Sequence, residues 1–370
     1  MRMHLCIALL GGGLLLGGVV ARALPRFAAE TGAKCQSCHI NPSGGGMRNA
    51  FGAQFGREEL PVPAWSENSG LEDLAKLMPG FLGVGADFRT LFVVRQIPDS
   101  TGKSATIDNE FFQMQGDIDF NLRVAKKVSL YLSKGLYSGF EVFGLFNVLP
   151  YDGHIKIGKF VPNYGLKMDD HTAFIRMYTG FSASVGRPEI TGVEAAVAPG
   201  PITIAGGVYN ATDGFGATGG SQKAFLGRAE GLFDLGKKVF FGLGANVFRR
   251  EQVGGSVMLY GAFGSLGLGR LTLIGEGDFV RTAIPARTTT GALLYVEANY
   301  AVVDGVELKA AYDFYDPDKD VKSGATARYS IGAEFFPIGG VEVRPVYRFI
   351  IEDPVNVKNN EFDMVFHIYI

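Results

Sequence analysis

Phe112-Gln113-Met114-Gln115-Gly116-Asp117-Ile118-Asp119-Phe120-Asn121-Leu122-Arg123 is the stretch on which the reading of the fold turns. Gln113, Gln115, Asp117, Asp119, Asn121 and Arg123 occupy one parity; Phe112, Met114, Ile118, Phe120 and Leu122 occupy the other. Successive side chains of a β-strand point to opposite faces, so this segment predicts a strand with one polar and one apolar face. The pattern recurs on either side. Asp87 and Arg89 oppose Leu82, Val84, Phe88 and Phe92, and at the far end Asp363, His367 and Tyr369 oppose Phe362, Met364, Phe366, Ile368 and Ile370. A soluble β-protein shares the period of two. Repetition in segments of about ten residues from Gly80 onward is instead the signature of a transmembrane barrel.

The connections sharpen that reading. Tight turns are predicted near Lys126-Lys127, Tyr151 to Gly153, Pro199 to Pro201, Gly236 to Lys238, Ser265 to Gly269, Val303 to Gly305 and Pro337 to Gly340. Between them lie mostly longer, polar connections: Ile97 to Asp108, Val161 to Glu189, Asn210 to Lys223, Arg281 to Thr289, Pro317 to Ala325 and Glu352 to Glu361. Two more, Gly135 to Gly139 and Glu251 to Gly254, are short. Short turns alternating with long loops distinguish the periplasmic from the external end of an outer-membrane barrel. The expected fold is all-β, a transmembrane antiparallel β-barrel of about 16 strands over 80–370. An even number puts both barrel ends at the periplasmic rim. The last strand runs to the final residue and looks like an outer-membrane assembly signal, ending in Ile370 rather than Phe or Trp.

A barrel of this size leaves a lumen wide enough for an aqueous channel or a small plug. Its expected lining is Asp87, Arg89, Asp117, Asp119, Arg123, Glu276, Asp278, Glu297, Glu307, Lys309, Asp313, Glu342, Arg344 and Arg348, read as the mixed-sign wall of a solvated interior. The longest connection carries Lys159 to His171. It either folds inward as a constriction or is an exposed site at which Asp169, Asp170 and His171 could hold a metal ion.

The chain has 370 residues, 47% of them apolar and 19% charged, with a formal net charge of −2. That balance argues against a nucleic-acid partner, which calls for a basic surplus, and against disorder. Residues 1–23 read as a secretory signal: Arg2, an apolar run from Leu5 to Val20, and the A-x-A site Ala21-Arg22-Ala23. Cys6 falls within that run.

Residues 24–79 are irregular and hold Cys35-Gln36-Ser37-Cys38-His39. Two cysteines three positions apart, followed at once by histidine, are the attachment signature of a c-type haem: the thiols add to the porphyrin vinyl groups and His39 is the proximal iron ligand. A redox dithiol, a disulfide and half a zinc site are the competing readings. The zinc reading needs a second Cys or His pair, which does not appear. One covalent haem c is expected on Cys35, Cys38 and His39, with Met47, Met78, His154, His171 and His367 as candidates for the second axial ligand. Thr31-Gly32 predicts a turn before the motif, Gly44 to Gly46 a tight path after it, and Phe51 with Phe55 a cover for one haem edge. A brief helix is expected over Leu71, Leu74 and Leu77. A segment this short is marginal as a free-standing domain. It is therefore expected to use the barrel for its walls, as a plug.

Phe27-Ala28 with Thr31-Gly32 and Cys35 to His39, followed by Phe51-Gly52 and Phe55-Gly56-Arg57, resembles the fused monohaem cytochrome–porin family of outer-membrane iron oxidases. Ile157 to Gly165 is similar to the phosphate-selective porins. The first resemblance implies haem-mediated electron transfer between an extracellular partner, ferrous iron among the candidates, and a periplasmic carrier. A diffusion porin with the haem segment as a structural plug or sensor is the alternative; an oxidoreductase using lumen residues is a third. The resemblance places the barrel in outer-membrane lipid, with the haem segment at the periplasmic side or in the lumen.

Overall fold

The computed structural model describes residues 25–66, 80–136, 139–181, 188–211 and 222–370. The signal sequence, the helix expected over Leu71 to Leu77, and Met78 lie outside these residues. Sixteen antiparallel strands close into one barrel, each hydrogen-bonded to its sequence neighbours, and β1 (Leu82–Pro98) seals against β16 (Glu361–Tyr369). Period-two patterning is why this works: with one face in lipid and one in the lumen, a slip of one residue would turn every side chain to the wrong side. Phe120, Ile157, Phe225, Leu243, Ile331 and Phe366 are exposed on the outside, while Asp119, Asp278, Asp313, Glu342 and Asp363 are buried within.

The deciding stretch forms part of β2 (Ala105–Ala125) and departs from ideal alternation at one point. Arg89 pairs with Gln115 but Thr90 pairs with Gln113, which leaves Met114 as a bulge. One extra residue shifts the parity beyond it, so Phe112 moves to the inward set and Gln113 to the outward set. From Gln115 to Asn121 the expected faces hold. Arg123 is exposed at the rim rather than inside the lumen.

Most connections fall where the polar breaks predicted them. The strands β7 (Ile202–Asn210) and β8 (Lys223–Asp234) flank the break at Asn210 to Lys223, and those at Pro317 and Glu352 match as well. Two differ. Ser265 to Leu268 continues β10 (Gly255–Leu268), and Arg281 to Thr289 is mostly strand, joining β11 (Leu271–Ile284) to β12 (Arg287–Val303) through a two-residue turn. At Arg281 to Thr289 the polar composition belongs to strands that extend beyond the apolar band, not to a loop.

Two segments enter the barrel. The first is 25–66: α1 (Pro25–Thr31), a 3-10 turn at Cys35–Ser37, α2 (Ala50–Glu58) and α3 (Pro63–Ser66). It lies at the tight-turn rim. Lys34 donates to the Gly200 carbonyl at 2.8 Å, Val62 N to that of Phe336 at 2.9 Å, and α1 packs beside β9 (Val239–Gln252), β10 and β11. The second is the connection from β5 (Gly153–Phe160) to β6 (Ile190–Val197), which folds inward and carries α4 (Phe174–Thr179).

Candidate functional site

Gly32, at φ +70°, ends α1 and turns the chain into the motif, as the Thr31-Gly32 pair predicted. Cys38 N and His39 N both bond to the Cys35 carbonyl, at 3.1 and 3.0 Å, so Cys35 to His39 form one helical turn. His39 pairs with Arg48, and Ile40 N donates to the Met47 carbonyl at 3.0 Å. Closing so short a loop requires three consecutive left-handed residues, which Gly44, Gly45 and Gly46 supply at φ +86°, +77° and +62°. Asn49 fixes the whole: its Oδ1 caps α2 through Gly52 N at 2.9 Å, and its Nδ2 donates to the Ser37 carbonyl at 3.0 Å.

Fully buried Cys38 packs against Ala33, and Cys35 is half-buried; both are thiols. Burial pushes each up to about 11, with Glu230 adding to the effect at Cys35 and Cys35 itself adding at Cys38. A redox dithiol relies on the opposite shift, toward the thiolate. The imidazole of His39 is oriented by the Gly46 carbonyl, 3.3 Å from Nδ1. A ring nitrogen held by a backbone carbonyl is the usual support for an iron or zinc ligand, leaving Nε2 to the metal.

The aromatic cover differs from expectation. Phe55 turns inward onto Phe27 and Phe336, at centroid separations of 6.2 Å for Phe27–Phe55 and 6.3 Å for Phe27–Phe336, whereas Phe51 is exposed. Among the second-ligand candidates, Met47 packs against the glycines of β1. In the paired His39–Arg48 ribbon, adjacent residues face opposite ways, so Met47 points away from the face that carries His39. His367 lies between Glu342 at 2.8 Å and Asp87 at 3.1 Å, one carboxylate at each ring nitrogen. His171 belongs to the inward loop. His154 is different: it is buried, its Nε2 has no protein partner, and it precedes by two residues the Lys156 that touches the motif's own loop. One helical turn bearing both thiols, a carbonyl-oriented His39 and an orphaned histidine nitrogen in the adjoining wall fit a covalent haem. A cavity of about 520 Å³ also opens at this rim, lined by Glu30, Leu60, Phe240 and Arg270 among others, and the motif does not line it.

The lumen wall holds both inserted segments through charge. Lys156 and Glu194, both fully buried, pair at 2.7 Å; Ser43 Oγ lies 2.5 Å from Lys156 Nζ and donates to Glu194 at 3.2 Å. Arg26 of α1 pairs with Glu334 and, at 3.3 Å, with Glu307. In the inward loop, Asp169 receives Arg89 at 2.8 Å and Arg344 at 2.5 Å, and Asp170 receives Arg348 at 3.1 Å. Phe174 N, opening α4, donates to Asp313, and Arg328 binds the same carboxylate at 2.8 Å. The expected lumen residues are inside the barrel, Arg123 excepted, but they are paired and mostly dry rather than solvated, because two insertions fill the space. Asp169 and Asp170 are thus committed to arginines, and among the described residues no three His, Cys, Asp or Glu are grouped as metal ligands would be.

Lys156, Glu194, Glu334 and Arg328 escaped the sequence reading although parity marks them. Lys156, for example, is an inward charge between outward Ile155 and Ile157. Nothing in the sequence signals that Arg26, Asn41 and Ser43 meet the wall.

This architecture is a porin-like outer-membrane β-barrel fold of sixteen strands. OmpT of Vibrio cholerae is similar over 80% of this chain and 99% of its own, with TM-score 0.55 and 14% identity. An anion-selective porin from Comamonas acidovorans gives 0.55 and 11% over 78% of this chain and 99% of its own, and OmpF of Salmonella typhi 0.54 and 11% over 78% and 97%. These likenesses are of fold. No family model and no curated protein match the sequence.

Proposed function

We propose that the chain is an outer-membrane electron-transfer protein in which a porin barrel encloses a segment bearing one covalent c-type haem. The observation that carries this reading is the placement of Cys35 to His39 inside the tight-turn rim, clamped by Lys34, Ser43 and Arg26 to the wall. By the short-turn rule that rim is periplasmic. Bound through Cys35 and Cys38, the haem supplies a one-electron couple whose potential depends on burial and hydrogen bonding. His39 would ligate the iron, and His154, whose Nε2 is buried without a protein partner, is a candidate for a second ligand. The wall's buried ion pairs exclude water and fix the segment. An extracellular donor or acceptor, ferrous iron among the candidates, and a periplasmic carrier complete the circuit, as the cytochrome–porin resemblance implies.

The test is expression with a periplasmic c-haem maturation system, followed by reconstitution in vesicles that trap a soluble c-type cytochrome. A Soret band that survives denaturation, and reduction of the trapped cytochrome by external ferrous iron or another reductant, are expected; both are lost in Cys35→Ala/Cys38→Ala. A barrel that takes up no covalent haem while a control cytochrome matures overturns the proposal. Solute flux through vesicles unchanged by the double substitution, with no electron exchange, establishes the diffusion-porin alternative instead.

A further inference from the structure

We propose that seven aromatic side chains, five on the inner wall and two on the inward loop, form a relay carrying strongly oxidising, single-electron vacancies between the Cys35–His39 turn and that loop, with three tyrosines as its stops. The proposal rests on the electron-transfer reading above.

The relay begins at one peptide group. The Gly46 carbonyl lies 3.3 Å from His39 Nδ1, and the N–H of the same peptide, that of Met47, donates to the Tyr131 hydroxyl at 3.1 Å. From Tyr131 in β3 (Val128–Gly135) the centroid steps are 4.9 Å to Phe143, 5.6 Å to Phe160, 5.9 Å to Tyr209, 6.3 Å to Phe248, 5.2 Å to Phe181 and 5.1 Å to Tyr164. All fall in the contact range of aromatic pairs, about 4.5–7 Å. The run climbs. Tyr131 sits just above the Lys126-Lys127 turn, Phe248 lies toward the far end of β9, and Phe181 and Tyr164 belong to the inward loop. All but Phe181 are buried.

A phenol surrenders an electron readily only if its proton leaves at the same time. Each tyrosine of the run has an acceptor in place: Tyr131 donates to Asp119 at 3.1 Å, Tyr209 to Glu194 at 2.7 Å and Tyr164 to Asp278 at 2.8 Å. In each step a one-electron oxidant is reduced, the tyrosine becomes a neutral phenoxyl radical and its proton passes to the carboxylate. When the next tyrosine supplies an electron, that proton returns. One electron therefore travels and no proton is lost. The phenylalanines serve as bridges. Lys156 Nζ lies 4.4 Å from the Phe160 ring and 5.8 Å from that of Phe143, which disfavours positive charge on either. At the ends, a ferrous centre held at His39 is oxidised to ferric, and an external oxidant strong enough to oxidise a phenol is reduced.

The full chain is reconstituted with its long loops outward, and a membrane-impermeant ruthenium(III) polypyridyl oxidant is generated outside by a laser flash. In the haem-free Cys35→Ala/Cys38→Ala protein, freeze-quench EPR is expected to show a tyrosyl radical that Tyr131→Phe removes. Tyr209→Phe should abolish most of the Tyr131 signal, whereas Tyr295→Phe, a buried lumen tyrosine outside the run, should leave it intact. Heat-modifiable gel mobility confirms that each variant is a folded barrel. In the haem-loaded protein the flash should oxidise the ferrous centre, and Tyr209→Phe should slow it. A Tyr131 radical that forms equally in Tyr209→Phe, or no radical at Tyr131 at all, overturns the relay. Because the haem-free arm needs no haem, failure of haem attachment leaves this result readable; normal exchange in haem-loaded Tyr209→Phe removes the relay alone.

Discussion

At the scale of single residues, buried charge governs this interior. Lys156 and Glu194 have no access to water, and each satisfies the other together with Ser43, Asn41 and Tyr209. Removing one partner of such a pair strands the other; the cost is about 3–5 kcal/mol, larger than the price of replacing both by apolar residues of similar volume. Lys156→Met should therefore lower the thermal midpoint of the barrel sharply, read by heat-modifiable mobility, and the double variant Lys156→Met/Glu194→Leu should recover much of the loss. Equal destabilisation in single and double variants would contradict this account.

Among the elements, the inward loop is the one most open to pH. Burial alone would raise Asp169 and Asp170, but Arg89 and Arg344 hold the first, and Arg348 and Arg328 the second, well below the usual carboxylate range. Their contribution to docking is present above the unfolded value of about 3.9 and is lost only as pH falls below it. His171 works in the same direction over a higher pH range. Burial first, then Arg176 and Arg89, keep its imidazole neutral well below the ordinary value. A released loop can protonate it, so docking weakens once pH drops below about 6.5. Single-channel conductance should accordingly rise in two stages, one below about 6.5 and one below about 3.9, and His171→Gln should remove only the first. A flat profile from neutral pH to pH 4 in the native chain would contradict the assignment. Inward folding of this connection was legible in the sequence as one of two options. The Asp169-Asp170-His171 run did not decide between them, because the arginines that claim it come from β1, β14 (Thr326–Phe335) and β15 (Val341–Glu352), far away in sequence.

For the whole molecule, strand number, closure and the faces of β1, β2 and β16 were readable because lipid on one side and lumen on the other force a period of two. A bulge at Met114 and strands extending past the apolar band escaped, since the first leaves composition unchanged and the second carries the polar composition of a loop. The turn at Cys35 to His39 was equally plain. What it touches was not: contacts between the segment 25–66 and the wall join residues as far as 308 positions apart, and no periodicity records them. Deleting 24–66 should leave a heat-modifiable barrel whose conductance exceeds that of the intact chain. Equal conductance would mean that the inward loop alone sets the passage.

Where the segment rests against the wall bears on how the protein is made. Arg48 stacks over the Tyr369 ring at 4.0 Å, Gly56 packs on the same ring, and Met47 lies against Gly83 and Gly85. These contacts lie along the seam of β1 and β16, where the barrel closes. A segment that precedes the barrel in sequence thus ends up beneath the seam that closes it. Any chemistry performed on the two cysteines by an external catalyst must be finished while that seam is open. On the haem reading proposed above, maturation of the segment and insertion of the barrel become an ordered sequence, and a segment that fails to mature leaves its defect at the seam itself.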